Sequence, residues 1–455
     1  MKGEPYREVR GIGLDWMAGL PSHWSAMPLK YLVNFESGGT PSKDNPLYWG
    51  GDIPWASAKD LKQEVISDTI EHLTDAAISE GAAKLVARGT VAVVVRGMIL
   101  ARTFPVSVLD APMAINQDLK ALSGGSRLDT RFLAWALRGS SEETLARLEE
   151  AAHGTKALRM DAWSSMCLPV PPLPEQFAIA AFLDRETAKI DTLIAEQQRL
   201  IALLDEKRRA VISHAVTKGL NPDAPMKHSG IEWLGEVPAH WRLGRLKDAV
   251  LSVEQGWSPQ CESYPAGPGE WGVLKVGCVN GGSFNSSENK ALPPHVPPIS
   301  ELSLRYADIL ISRANTRELV GSAAMVDRDY DKILVCDKLF RCRTNVEMAL
   351  PEFIVSYLGS KSVRAHIELS ATGASSSMLN IGRAVITDMP LALPPLDEQT
   401  AMRDYISLQS RAFADLAGDA KLAVSLLQER RSALISAAVT GKIDVRRIET
   451  EAEAA

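Results

Sequence analysis

The chain contains two copies of one frame, and no other feature limits its fold as strongly. Trp16-Met-Ala-Gly-Leu-Pro-Ser-His-Trp24 returns 217 residues later as Trp233-Leu-Gly-Glu-Val-Pro-Ala-His-Trp241, and Leu29-Lys30 returns at the same offset as Leu246-Lys247. A second block, Pro171-Pro-Leu-Pro-Glu175-Gln176, returns 223 residues later as Pro394-Pro-Leu-Asp-Glu398-Gln399, and that match runs on to Ser213-His-Ala-Val-Thr217 against Ser436-Ala-Ala-Val-Thr440. Self-similarity of this kind marks a copied structural unit. The interval between the blocks is six residues longer in the second half, and its two versions share little beyond scattered Gly, Arg and Leu. The frame is duplicated; the inserts differ.

The second block opens a long helix in each copy. Residues 175–217 hold neither Gly nor Pro and are rich in Ala, Leu, Glu, Gln, Lys and Arg. At ~1.5 Å per residue such a helix is ~65 Å long, far beyond the usual three turns. A heptad register places Leu183, Ile190, Gln197, Leu204 and Val211 at one position, with Leu193, Leu200, Ile194 and Ile201 beside them. Ile406, Phe413, Ala420, Leu427 and Leu434, with Leu416 and Val424, repeat the stripe in the second copy, where Gly418 is expected to interrupt the helix. Each stripe needs a partner, and the simplest partner is the other copy.

At roughly 100–200 residues per domain, 455 residues make two to four domains. The inserts, about 25–170 and 242–393, read as mixed α/β. Strands are expected at Val91–Val95, Val273–Val276, Ile309–Ser312 and Lys332–Cys336, with helices at Thr130–Arg138 and Pro351–Leu369. Five cysteines without a CxxC pair argue against a disulfide framework or a zinc ribbon and fit a reducing cytoplasm. No apolar run reaches membrane-spanning length. A net charge of -6 excludes a generally basic nucleic-acid binder but not a local basic face.

Catalytic signatures are missing: there is no Walker loop, G-x-S-x-G elbow, H-E-x-x-H or strand-borne G-x-G-x-x-G. His23 and His240 sit inside the repeated P-x-H-W, which suits packing better than a single active site.

Loops suited to nucleic acid are more plentiful. Ser37-Gly-Gly-Thr40-Pro-Ser42-Lys43 offers backbone N–H groups, hydroxyls and a cation to a phosphate, and Gln255-Gly-Trp257-Ser258-Pro259 takes its place in the second insert; both also read as ordinary turns. Lys84, Arg88, Arg96, Arg102 and Lys120 outweigh Asp110 and Asp118 locally. Arg96-Gly97 follows an apolar strand, as Arg313-Ala-Asn315-Thr316-Arg317 follows Ile309–Ser312, and a guanidinium at a strand end suits guanine or phosphate. Asn116 and Gln117 bring amides that match adenine. A third pair is Gly154-Thr-Lys156-Ala-Leu-Arg159 against Gly373-Ala-Ser375-Ser376-Ser-Met-Leu-Asn380.

Together the repeated W-x-x-x-x-P-x-H-W and P-P-L-x-E-Q blocks, the G-x-T-P and G-x-S-P loops, and R-G or R-x-N after a strand resemble the specificity subunit of a type I restriction-modification system over about residues 14–443. The resemblance implies an α/β (α+β) fold with an internal pseudo-two-fold repeat. Target-recognition domains at 1–172 and 220–394 would be joined by helical spacers at 173–219 and 395–443 forming an antiparallel coiled coil, with a flexible acidic tail at 444–455. It implies a non-catalytic subunit that reads an asymmetric bipartite site in double-stranded DNA, with helix length fixing the half-site spacing. Its partners would be two modification subunits that methylate adenine and restriction subunits that cleave; S-adenosylmethionine, ATP and Mg would be bound by those partners, in the cytoplasm and at no membrane. Two other readings stay open. A methyltransferase-specificity fusion would need an N-P-P-Y-like loop, and no P-P pair here has that setting. A coiled-coil scaffold that binds no DNA explains the helices but not two divergent, arginine-bearing inserts.

Overall fold

The computed structural model describes residues 6, 8–11, 16–17, 19–150, 154–375 and 378–446, with Ala374 and Ser375 described by backbone alone. The chain divides into two compact units, residues 1–197 with 422–455, and residues 198–421.

The first unit is built on a five-stranded sheet. Strand β1 (Val33–Ser37) pairs with β3 (Leu119–Gly124), β3 with β2 (Val91–Val94), and β2 with Val106–Leu109, all antiparallel, before Val65–Ile66 joins the edge in parallel. Residues 91–94 are all buried, so β2 is a central strand, which is why its sequence is an unbroken valine and alanine run rather than an alternation. Helix α1 (Thr130–Gly139) covers this sheet; Asp129 caps it by accepting from Phe132 N at 2.9 Å, and six consecutive residues from Phe132 to Leu137 are buried. A second sheet orders Glu71–Leu73, Trp49–Ala56, Met113–Ile115 and Leu85–Val86. Helix α2 (Leu173–Lys218) then begins, with Pro174 in its first turn, where no N–H is lost, and ends at Gly219, whose φ of +83° suits glycine alone.

The second unit repeats this strand order although the two inserts share little sequence. Strands β4 (Val250–Gln255), β6 (Leu339–Thr344) and β5 (Ile309–Ser312) pair in the order β4-β6-β5 followed by Ala323–Met325, matching β1-β3-β2 and Val106–Leu109. Its second sheet orders Asn289–Ala291, Gly272–Leu274, Tyr330–Leu334 and Ser303–Leu304, with the same antiparallel, parallel, antiparallel pattern as in the first unit. The run expected to be one helix from Pro351 to Leu369 is two, α3 (Pro351–Leu358) and α4 (Lys361–Ser370). Gly359 and Ser360 break it, and the Ser360 hydroxyl turns back to Tyr357 O at 2.7 Å. Helix α5 (Leu396–Val439) is continuous through Gly418, because a single exposed glycine costs only about 1 kcal/mol in a helix this long.

Within the first unit the start of α2 lies against the end of α5: Ile179, Phe182 and Leu183 share a core with Ile435, Ala438 and Val439, and Arg431 Nε donates to Asp191 at 2.9 Å. Within the second unit the end of α2 lies with the start of α5, Val216 sharing a core with Met402. This exchange of halves is the pattern of an antiparallel pair. The stripe is covered only in part. Leu183, Ile190 and Ala420 are buried, whereas Leu193, Leu200 and Leu416 are exposed.

The two repeated motifs lock together in each unit. Glu175 accepts from Trp24 Nε1 at 2.9 Å and meets His23 Nε2 at 2.7 Å; Glu398 accepts from Trp241 Nε1 at 3.0 Å and meets His240 Nε2 at 2.5 Å. Gln176 accepts from Asp129 N and donates to Arg127 O and Pro171 O, and Gln399 accepts from Leu350 N and donates to Met348 O and Pro394 O, all at 2.8–2.9 Å.

Gln399 is fully buried, so Gln399→Ala strands one donor and two acceptors. A loss of roughly 3 kcal/mol is expected in urea unfolding, with Thr400→Ala nearly neutral. A pH effect arises at Glu254, whose carboxyl the Arg341 hydrogen bond holds below the usual glutamate range. A depressed value stabilises the fold above the ordinary carboxylate range of about pH 4–5 and loses that contribution as pH falls through the folded value. Glu254→Gln should therefore flatten the acid limb of Tm against pH while lowering Tm near neutrality.

Candidate nucleic-acid interface

Four loop segments meet at the ends of the sheet strands in the first unit. Gly38 passes so close to Met113–Ile115 that a Cβ there would lie 2.0 Å from Ile115 O, and Gly39 N donates to that same carbonyl at 2.9 Å. Thr40 Oγ1 donates to Gln117 Oε1 at 2.5 Å, tying the G-x-T-P loop to residues 116–118. Val95 N and Arg96 N both reach Asp118 O, and Gly97 N reaches Lys156 O at 2.9 Å, which brings in the third and fourth segments.

The second unit builds the same cluster from other side chains. A Cβ on Gly256 would lie 2.2 Å from Val335 O, Trp257 N donates to that carbonyl at 2.9 Å, and Ser258 Oγ donates to Asp337 Oδ1 at 2.5 Å. Arg313 N donates to Lys338 O at 2.8 Å and Ile381 N to Arg313 O at 2.9 Å. Asp337, the counterpart of Gln117, was not singled out in the sequence. The only signal for it was Leu339, which lies as far after Val335 as Leu119 lies after Ile115.

The register separates Arg96 from Arg313. Val94 pairs with Leu119 as Ser312 pairs with Leu339, and Arg96 bridges Ala157 as Ala314 pairs with Asn380. Arg313 thus stands where the first unit has Val95, and Arg96 where the second has Ala314. One residue along a strand reverses the face, so the two arginines do not share a direction.

Commitments differ among the candidates. Arg96 and Arg102 are exposed, and neither guanidinium has a hydrogen bond or ion pair among the described residues. Arg317 is exposed beside Glu318. Arg313 is half-buried, with Nη1 3.3 Å from Asp337 O. Lys43 sits 3.5 Å from Glu71 and over the Trp49 ring; Lys156 is paired with Glu150 at 3.0 Å and Arg159 with Asp161 at 3.6 Å. Asn116 is buried, its Oδ1 accepting from Asp118 N at 3.1 Å, so it shapes the turn, while Gln117 is exposed. Asn315 accepts from Thr316 N at 2.9 Å in a similar local turn. Ser42 is exposed, Trp257 packs on the second sheet, and Asn380 is half-buried. Ser376 and the side chain of Ser375 lie outside the described residues.

Residues 21–202 match the family model described as type I restriction modification DNA specificity domain. This segment is similar to a type I DNA specificity domain. The chain is 28% identical over 198 residues to the EcoEI specificity subunit of Escherichia coli, covering 43% of this chain and 33% of that protein. It is 29% identical over 194 residues to the EcoR124I/EcoR124II specificity subunit of Escherichia coli, covering 42% and 46%. The matched region is thus less than half the length of either relative. A solved chain from work on complex assembly and conformational transition of the type I R-M system shares the fold with a TM-score of 0.64 at 18% identity, over 93% of this chain and 99% of that one. Among the described residues no helix is long and apolar enough to cross a membrane.

The close approach at Gly38 and Gly256 is testable. Gly38→Ala and Gly256→Ala should each cost about 1–3 kcal/mol through overpacking, and each should speed amide exchange in its own facing segment, near 115–118 or 335–338. Gly39→Ala meets only an ordinary contact at 3.8 Å and serves as the control.

Proposed function

We propose that the chain is the DNA-reading subunit of a type I restriction-modification complex, each unit presenting its loop cluster to one half of an asymmetric bipartite site in double-stranded DNA. One observation carries this: a single frame of four loops is built twice with different side chains, Thr40, Arg96 and Gln117 in one, Ser258, Arg313 and Asp337 in the other. Equal frames suit equal tasks, and unlike side chains suit unlike sequences. Uncommitted guanidiniums at Arg96 and Arg102, with exposed Arg317, supply phosphate or guanine contacts, and exposed amides and hydroxyls supply base-edge partners. The local cations offset an overall charge of -6, so binding should fall steeply with salt.

The chain itself is non-catalytic in this reading. Methylation and cleavage belong to two modification subunits and to restriction subunits, which bind S-adenosylmethionine, ATP and Mg, in the cytoplasm. Exposed leucines on the long helices, among them Leu193, Leu200, Leu408 and Leu416, supply apolar surface for recruiting those subunits.

Mapping methylated adenines in a host that supplies the other subunits defines the target. Against duplexes carrying it, Arg96→Ala should weaken binding by about 1–3 kcal/mol if it reads a base, with the sequence preference relaxed in one half-site only. Equal loss in both half-sites, or no loss in either, rejects the assignment of Arg96.

A further inference from the structure

The two Glu–His–Trp nodes are built alike but filled differently. In the first unit Glu175 has two partners beyond His23 and Trp24: the Tyr6 hydroxyl donates to Oε2 at 3.0 Å, and Arg446 Nη1 donates to Oε1 at 3.2 Å. Tyr6 is buried between His23 and Trp24, and Arg446 stacks over its ring at 5.0 Å from the centroid. The chain's first and last described segments thus plug this node, and the Glu175 side chain is 9% exposed.

The neighbouring parts of the second node follow the first. Lys227 Nζ donates to Trp241 O as Arg10 Nη2 donates to Trp24 O, and Gly219 at the end of α2 packs on Pro238 and Trp241 as Gly441 at the end of α5 packs on Pro21 and Trp24. Among the described residues the plug has no counterpart. Counting from those equivalent residues, Asp223 stands in the place of Tyr6 and Ala224 in the place of Arg446. Among the described residues Glu398 keeps only His240 and Trp241, its side chain is 34% exposed, and it lines a pocket of about 240 Å³ with Asn221, Ala224, His240 and Met402. Lys218 is also on the wall, but its ammonium donates to Glu236 O.

We propose that this pocket in the second unit receives an arginine side chain, carried beside an aromatic residue on a segment of a partner protein, with the guanidinium pairing Glu398 as Arg446 pairs Glu175. A carboxylate in a concave, partly apolar site favours a planar cation that adds one N–H to an oxygen already shared with a histidine, as Arg446 Nη1 does at Glu175 Oε1, and arginine with tyrosine is the pair that anchors protein interfaces. The inference rests on the proposed function only in requiring that the chain works with protein partners.

The probe is N-acetyl-Tyr-Arg-amide, titrated into the full chain and followed by saturation-transfer NMR. Weak saturable binding is expected, with transfer to both the tyrosine ring and the arginine methylenes. It should weaken about tenfold for Glu398→Gln and for the citrulline analogue, which keep shape and lose charge. Ala224→Arg fills the pocket from within and leaves Glu398 and Trp241 untouched, so it should abolish binding and raise the Tm of the full chain. Absence of saturable binding, or binding that survives Ala224→Arg, overturns the proposal. DNA binding by the same preparations reports the functional reading separately, because no residue of this pocket belongs to the loop clusters.

Discussion

A buried glutamine at the start of each long helix holds the rest of the structure in place. Gln176 and Gln399 each reach three backbone groups, two on the chain entering the helix or just before the sheet's covering helix and one at that helix's own start. An amide is the one side chain that accepts and donates twice with these angles. A carboxylate would repel the two carbonyls, and an apolar residue would strand three polar groups. The preceding glutamate takes the ring nitrogens of the P-x-H-W motif. The helix, the entry strand and the insert are therefore fixed by adjacent residues, which accounts for a recurring P-P-L-x-E-Q amid divergent sequence.

That economy explains what could be read from the chain before its structure. The frame motifs and the helices were legible because their constraints are local and chemical: runs rich in helix formers and a Pro-Pro entry. Ile309–Ser312 appears with the bounds its apolar run suggested, and Val91–Val94 is one residue shorter than its run. The common topology of the inserts was not legible, since pairing order depends on which strands meet in space, and buried valine is exchanged for isoleucine, leucine or alanine without trace. The likeness of Arg96 to Arg313 misled for a related reason. Position after an apolar run looks the same in sequence, but facing is set by place on the ladder, and on these equivalent ladders the two arginines stand one residue apart. The fully buried Tyr357 and the helix break after it lay in a run whose period was helical throughout; only Gly359 hinted at the division.

The loop clusters show how such a frame can carry different side chains on one geometry. Their shared contacts are backbone to backbone: an amide on Ile115 O or Val335 O, an amide on Asp118 O or Lys338 O. These bonds ask nothing of the side chains except a glycine where the chains touch. Thr40–Gln117 and Ser258–Asp337 keep the geometry of one clamp with different chemistry, a neutral amide acceptor in one unit and an anion in the other. Side chains on such loops can vary without loss of the fold, because the energy that shapes the loops lies elsewhere.

The same separation bears on electrostatics. Three cations near the clusters are already paired with their own neighbours, Lys43 with Glu71, Lys156 with Glu150 and Arg159 with Asp161, in largely solvated pairs of small net worth. Such a pair is cheap to break when a phosphate arrives, but it lowers the field felt at a distance. Among the described residues Arg96 and Arg102 have no such partner, so they contribute to both. Under the proposed function, attraction to DNA in a chain of negative overall charge is concentrated at a few loop positions. In that reading, like charge suppresses non-specific binding along the rest of the surface, as suits a protein that discriminates between sites rather than coating the duplex.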